Sequence, residues 1–270
     1  MSSGGPNGRR PGGCSSWATH STRDGPIGVA CFDLATGSLR WSDEFDGRLE
    51  AGPVVVDDLV VYSENRLRAV DRHDDDLVWS LPKNTSFTDI VAAAGDLLLA
   101  VDRDGVWAVR SNGDGGVWLW TPRERVVSPP VAGGDRAFVV TSDGTLVALS
   151  VDDGVVEWRQ SFPGLHEPPV LFDDHLYVGT TNGVERVRVD GTGRELVWGA
   201  PGVDEGIMRR LLVGGETLYG FDESVGGFAI SLPDGTLEWT SDSVQGVPVP
   251  GRRHLFSATD GRGVRAYRSS

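Results

Sequence analysis

The stretch FDLATGSLRW, residues 32–41, returns in closely similar form as LSVDDGVVEW at 149–158 and ISLPDGTLEW at 230–239. Each copy has a glycine four residues before a tryptophan. A Thr-Gly or Asp-Gly pair between two apolar runs predicts a β-hairpin, because glycine readily adopts the positive φ of a tight turn. Each copy therefore predicts a strand, a turn and a second strand that carries the tryptophan.

Tryptophans recur along the whole chain at intervals of 38, 41, 38, 40 and 41 residues. The positions are Trp41, Trp79, Trp120, Trp158, Trp198 and Trp239. Upstream of the hairpins a second half recurs, as in GPVVVDDLVVYS (52–63) and PPVLFDDHLYVGTTNG (168–183), and it predicts two further strands. Four short strands in about 40 residues are typical of one propeller blade.

These repeats predict an all-β fold, a β-propeller of four-stranded antiparallel blades. Stacked blades bury both faces of each sheet, and a large indole at one place in every blade fills the gap to its neighbour. We therefore interpret the six tryptophans as structural anchors of the repeat.

The blade count depends on how the two ends of the chain meet. Residues 28–43 form a hairpin with no upstream half, and residues 246–268 supply strands with no Trp hairpin. Joining them in one sheet would close the ring and hide its edges. Six blades are thus favoured, although GVACF (28–32) and GVRAY (263–267) occupy the same place in the repeat, which leaves seven blades, the first incomplete, as the alternative.

The domain boundary falls after residue 27. Residues 1–27 are rich in Ser, Gly, Pro and Arg, and we expect a disordered leader there, followed by the propeller from 28 to 270. The leader contains Arg9-Arg10 and Cys14, fragments of a twin-arginine signal and of a lipoprotein cleavage site, without the apolar segment that an export signal needs. The default expectation is a cytoplasmic protein, with a cell-surface or lipid-anchored one if the true start lies upstream.

Charge excludes one class of partner and suggests a habitat. The net charge is -14, with 24 arginines, one lysine and 27 aspartates. Nucleic-acid binding needs a clustered basic face, so we expect no such partner. Weakly hydrated arginine with abundant aspartate favours a protein that stays soluble in concentrated salt, and we expect a halophilic, archaeal source.

The remaining composition gives few chemical clues. Cys14 and Cys31 have neither metal nor disulfide-framework spacing, and we interpret them as two unrelated thiols. No apolar run of 18 residues occurs, so no transmembrane helix is predicted.

The Asp start, the Thr-Gly or Asp-Gly turn and the following tryptophan resemble the pyrroloquinoline-quinone-like propeller repeat family over residues 28–268. The resemblance implies either a quinone-dependent dehydrogenase or a non-catalytic propeller, such as the lipoprotein of the outer-membrane barrel assembly machinery. The dehydrogenases of that family are longer and have adjacent cysteines, which this chain lacks.

Few residues are candidates for a site. Aspartate clusters could present oxygens to calcium, although turn chemistry explains aspartate there equally well; they comprise Asp71, Asp74, Asp75, Asp76, Asp102 and Asp104. Asn84 in Asn-Thr-Ser meets the glycosylation rule. No nucleophile or base stands in a recognisable catalytic setting.

We therefore expect a monomeric, non-catalytic scaffold that binds a protein or polymer partner through loops at its rim and needs no cofactor. One alternative is a quinone-dependent dehydrogenase, or another propeller enzyme, with a site at the central channel. Under that alternative the cofactor would be pyrroloquinoline quinone with calcium. A further alternative is a propeller that binds calcium or a small ligand without turnover.

Overall fold

The computed structural model describes residues 16–21, 27–33, 35–45, 49–64, 66–81, 87–92, 95–199, 211–222, 225–244, 249–250, 254–259 and 263–268. These residues form strands and turns, and none of them is helical. The strands belong to seven antiparallel sheets, five with four strands and two with three. The fold is a β-propeller.

The five four-stranded sheets follow one another along the chain, and each runs in sequence order from its first strand to its fourth. Their strands are, sheet by sheet, β4 Ala51–Val56, β5 Leu59–Ser63, β6 Leu67–Asp71 and β7 Leu77–Ser80; β8 Asp89–Ala92, β9 Leu97–Val101, β10 Val106–Arg110 and β11 Gly116–Trp120; β12 Val131–Gly133, β13 Arg136–Val140, β14 Thr145–Ser150 and β15 Val156–Ser161; β16 Val170–Phe172, β17 His175–Thr180, β18 Gly183–Arg188 and β19 Glu195–Gly199; and β20 Leu212–Gly214, β21 Thr217–Asp222, β22 Gly226–Ser231 and β23 Leu237–Ser241.

The two three-stranded sheets come from the ends of the chain. The first consists of β1 Ser16–Ser21, β2 Ile27–Phe32 and β3 Leu39–Phe45, and the last of β24 Val249–Pro250, β25 His254–Thr259 and β26 Gly263–Arg268. The first strands of successive sheets contact one another in the order β4, β8, β12, β16, β20 and β24. The first strands are therefore innermost, and the fourth strands are the outer edges.

The core lies between the sheets, because each middle strand sends alternate side chains to opposite neighbours. In β9, Leu97, Leu99 and Val101 pack in a cluster with residues of the following sheet, whereas Leu98 and Ala100 pack with the preceding sheet. A strand buried on both faces has an almost uninterrupted apolar sequence, and LLLAV is such a run. The same alternation recurs from sheet to sheet, which gives five clusters, each spanning two consecutive sheets.

The two ends of the chain do not share a sheet in the described structure, contrary to the favoured composite blade. GVACF lies in β2 and GVRAY in β26, and these strands pair within separate sheets. Two copies of one repeat position cannot occupy a single place in one sheet, which is the physical reason for the difference. The described strands form seven separate sheets, and the first and the last of them have three strands each.

Two further expectations about the N-terminal part differ from the structure. Strand β1 lies within the segment 1–27 that was expected to be disordered, and it pairs with β2 from Ser16 opposite Phe32 to Ser21 opposite Ile27. Cys31 is disulfide-bonded, not a free thiol. The only other cysteine in the sequence, Cys14, lies outside the described residues.

Candidate functional site

Repeated indoles join each of the first four sheets to the next one by a hydrogen bond. The Nε1–H of Trp79 donates to the carbonyl oxygen of Ser111 at 2.7 Å, and that of Trp158 donates to Val189 at 2.9 Å. Trp41 makes the same bond to Arg72 at 3.0 Å. The acceptor in each case lies 31 to 32 residues onward, in the hairpin turn of the following sheet.

A glycine in the receiving turn leaves room for the indole ring. Gly154, with φ of +72°, faces the ring of Trp118, and an added Cβ would lie 2.6 Å from it. Gly191, with φ of +82°, takes the same place against Trp158. Gly154 and Gly191 thus have two roles: each forms a turn and leaves space for the indole of the preceding sheet.

Trp118, not Trp120, occupies the repeat position in β11. Its Nε1–H donates to the carbonyl of Val151 at 2.7 Å, and it pairs with Ala108 just as Trp158 pairs with Ala148. VWLW offers two tryptophans, and spacing alone did not distinguish them. Trp120 packs, partly buried, against the cluster between the second and third four-stranded sheets.

Trp198 also differs from the other indoles. The hairpin before it is longer, with Gly193 five residues ahead of the tryptophan, so that Val197 stands against Gly235 of the next sheet. The Trp198 ring is buried and lies 4.5 Å from the ring of Phe228. Trp239 keeps the common register opposite Ala229.

The carboxylate oxygens of the candidate calcium ligands accept hydrogen bonds from groups close to them in the chain. One Oδ of Asp102 accepts the backbone N–H groups of Asp104 and Gly105, and the other accepts the indole N–H of Trp107. Asp71 accepts the N–H of His73. Within the described ranges no cluster of three or more His, Cys, Asp or Glu residues could hold a metal ion.

Asp74, Asp75 and Asp76 form a second acidic turn, just before β7. The Oδ1 of Asp74 accepts the N–H of Asp76, while Asp75 has φ of +63°, the value that glycine has in the other sheets. Partial burial is the main cause that raises the pKa of Asp75, and the negative charges of Asp43, Asp76 and Asp74 raise it further. This geometry is that of a hairpin turn.

The opposite pKa shift marks the other hairpin turns and has a local cause. The Arg40 guanidinium, together with hydrogen bonds from Thr36 and Ala35, lowers the pKa of Asp33 to about 2. Hydrogen bonds from Ser and Thr groups of their own turns lower the pKa of Asp153, Asp190 and Asp234 as well. Such carboxylates fix the turns.

Asn84, the potential glycosylation site, lies outside the described residues. In the part of the chain that the structure covers, no helix is both long and apolar enough to cross a membrane.

The outer strands carry the most conspicuous surface feature, a row of exposed aliphatic side chains. Leu77 and Val78 on β7 are 54% and 53% exposed, and Val117 and Leu119 on β11 are 40% and 41% exposed. Large exposed aliphatics also occur on the other outer hairpins, at Leu39, Val155, Leu196 and Leu237. Sequence inspection missed this row, although the residues around each tryptophan would have indicated it.

Charge distinguishes two of these outer strands from the rest. The residue before the repeated tryptophan is charged in three strands, at Arg40 in β3, Glu157 in β15 and Glu238 in β23. It is valine in the other three, at Val78, Val117 and Val197. Strands β7 and β11, in consecutive sheets, contain no charged residue along their whole length, whereas β19 begins with a glutamate.

Comparison with known proteins agrees with this architecture. Residues 18–86 and 63–201 match the family model described as outer membrane protein assembly factor BamB. A crystal structure of BamB from Moraxella catarrhalis is similar with a TM-score of 0.71 and 16% identity, covering 94% of this chain and 85% of that one.

A second solved structure, of the computationally designed Ika8 protein, is similar with a TM-score of 0.72 and 13% identity, covering 92% of this chain and 82% of that one. At these identities both structures show the fold alone. No curated protein matches the sequence. Because the family model covers more than half of the chain, this protein belongs to the pyrroloquinoline-quinone-like repeat family of β-propellers.

Proposed function

We propose that this propeller is a non-catalytic scaffold that binds another protein through its exposed surface. The exposed aliphatic side chains of the outer strands, two each on β7 and β11, are the observation that carries the proposal, because exposed apolar surface commonly marks an interaction site. The matching family model, described as an assembly factor, supports the same class of function.

The packing between the sheets makes the protein a rigid support for a binding surface. Buried apolar clusters and four indole hydrogen bonds hold the first five sheets together in sequence, so their outer strands are presented on a rigid frame. A rigid surface loses little conformational entropy on binding, which favours affinity without a deep pocket. We expect the chain itself to be monomeric when no partner is present.

The scaffold proposal is tested by site-specific crosslinking in cells. A photoreactive phenylalanine analogue at position 119, on β11, should give a defined crosslinked band that mass spectrometry assigns to one protein. The same analogue at position 240, on the exposed part of β23, is the matched control. Recovery of the uncrosslinked chain alone from both positions would contradict the proposal.

The dehydrogenase alternative needs a different experiment. The protein is mixed with pyrroloquinoline quinone and calcium, and the absorbance of the quinone and the melting temperature of the protein are recorded. The scaffold proposal predicts no change in either quantity. A shifted absorbance together with a raised melting temperature would favour a quinoprotein.

We further propose that the protein works outside the cytoplasm, because disulfides persist mainly in oxidising compartments and Cys31 is disulfide-bonded. Because Cys31 is buried in the folded chain, protein purified without reductant should be unfolded before thiol alkylation, and Cys31 should then still resist it. Complete alkylation of both cysteines in freshly isolated protein would contradict this location, and a lipid on Cys14 would exclude Cys14 as the partner of Cys31.

A further inference from the structure

Strands β7 and β11 are free sheet edges without the charged residue of the strands β3, β15 and β23, and the valine in its place is the extra residue of a β-bulge. Each pairs on one side only among the described residues, β7 with β6 and β11 with β10. Charged side chains on an edge strand normally prevent another strand from adding to it. Arg40, Glu157 and Glu238 are charged groups of this kind on the equivalent strands, and Val78 and Val117 replace them on β7 and β11.

The charged residues of the protected edges are already engaged within their own sheets. Glu157 accepts the Arg136 Nε–H at 2.6 Å, and Arg40 pairs with Asp33 at 2.5 Å. Such a pair would have to be covered or broken when a new strand is added. At Val78 and Val117 no charged pair has to be desolvated, and burial of each exposed aliphatic side chain would favour binding.

The backbone of β7 is also available on its free side. The N–H of Leu81 donates to the carbonyl of Leu67, so in this antiparallel ladder the N–H of the preceding residue, Ser80, points away from β6. Ser80 is exposed. A strand added at this edge would contact the outward N–H of Ser80 and the exposed apolar side chains.

Charge decides between a second copy of this chain and a different protein. The chain has a net charge of -14, so two copies repel each other. An acidic turn also precedes each open edge, with Asp74 and Asp76 exposed before β7 and Asp114 exposed before β11. A partner with lysine or arginine at the corresponding end of its strand would be attracted to these turns.

We propose that β7 and β11 each bind an extended segment of another protein by β-strand addition, and that this segment is aliphatic in its middle and basic at one end. The inference rests on the proposed scaffold function and specifies its partner. Backbone hydrogen bonds supply affinity, the aliphatic side chains select an apolar strand, and the acidic turns set its direction.

The first test uses a defined probe, the fluorescein-labelled peptide Lys-Lys-Val-Thr-Val-Thr-Val-Thr, with fluorescence anisotropy against the full chain. We expect saturable binding, and at least tenfold weaker binding when both lysines are replaced by glutamates. The difference should shrink in high salt, because screening weakens exposed charge pairs. Absence of binding at millimolar protein, or equal binding of both peptides, would overturn the proposal.

Variants locate the binding edge. The double variant Val78→Lys with Val117→Lys should weaken peptide binding at least tenfold. Ser80→Pro removes an outward N–H without adding charge, and it should abolish peptide binding at β7. Leu237→Lys, an equivalent exposed aliphatic on the already charged β23, should change binding less than twofold. Unaltered melting temperatures verify that each variant is folded.

The remaining outcomes separate this proposal from the scaffold function. If the crosslinked cellular partner persists in the Val78→Lys, Val117→Lys variant, the scaffold stands and strand addition is wrong. If the wild-type chain forms a concentration-dependent dimer in sedimentation and the double variant does not, a second copy is the occupant and the proposed partner is wrong.

Discussion

The indole N–H of Trp118 donates to the carbonyl oxygen of Val151, which lies 33 residues onward in the hairpin turn of the next sheet. The ring lies at the same time against Gly154 of that turn. One side chain thus joins the two sheets by a hydrogen bond and by packing.

Replacing Trp118 by phenylalanine should destabilise the fold by about 1–3 kcal/mol, because the Val151 carbonyl loses its donor while most of the apolar contact remains. Chemical denaturation measures the change in the free energy of unfolding. Trp120→Phe is the control, since Trp120 lies two residues away on the same strand but outside the joint, and its cost should stay below about 1 kcal/mol. A larger loss for Trp120→Phe would mean that the repeat position has been assigned to the wrong tryptophan.

Alanine at Gly154 should destabilise the fold for two reasons, a strained backbone and a clash with the Trp118 ring. Gly215 serves as the control because it shares only the first of these. Alanine at Gly154 would adopt a φ of +72° and place its Cβ within 2.6 Å of the Trp118 ring, so we expect a loss of about 2–4 kcal/mol. Gly215 has a similar φ of +65° but open space around it, so Gly215→Ala should cost only about 1 kcal/mol. Equal costs in thermal or urea unfolding would show that the indole contact does not constrain Gly154.

Acid should weaken the hairpin turns. The pKa of Asp33 is about 2 in the folded chain, below its ordinary value of 3.8, so its contribution to stability is complete above pH 4 and disappears as the pH falls towards 2. The melting temperature of the wild type should therefore drop across this window. Asp33→Asn has no carboxylate to protonate, and its melting temperature should drop less steeply. Identical slopes for the two proteins would exclude a role of the Asp33 carboxylate.

Salt should stabilise the protein over a wide range. With a net charge of -14 the folded chain repels itself, and screening shortens the reach of that repulsion to about 3 Å at 1 M salt. We expect the melting temperature to rise steadily from dilute buffer to molar KCl. A melting temperature that stays constant or falls would contradict the interpretation of the composition as an adaptation to salt.

The repeat was readable from the sequence because its turn chemistry and its core coincide. Gly37, Gly154 and Gly235 each stand four residues before a tryptophan, and all three have the positive φ that the hairpin motif predicts. The places where spacing failed are those where the local sequence permits two registers. VWLW allows Trp118 or Trp120, and contacts with Val151 and Gly154 of the next sheet distinguish them.

Features that depend on contacts between distant segments could not be predicted in this way. The disulfide of Cys31 has no spacing signal, and β1 lies in a Ser-rich stretch whose composition favours disorder. The open edges could be predicted only in part from the sequence. The absence of charge from LVWS and GVWLW is visible in the sequence, but only the structure shows that both strands are outermost and paired on one side.

Hydrogen exchange of the chain with and without its crosslinked partner tests the central claim most directly. Strand addition predicts that the amides of β7 and β11, Ser80 among them, become protected from exchange in the complex, while those of β23 keep the exchange rates of the free chain. Protection that appears only in the connection 121–130 or on the charged outer strands, with β7 and β11 unchanged, would contradict the account.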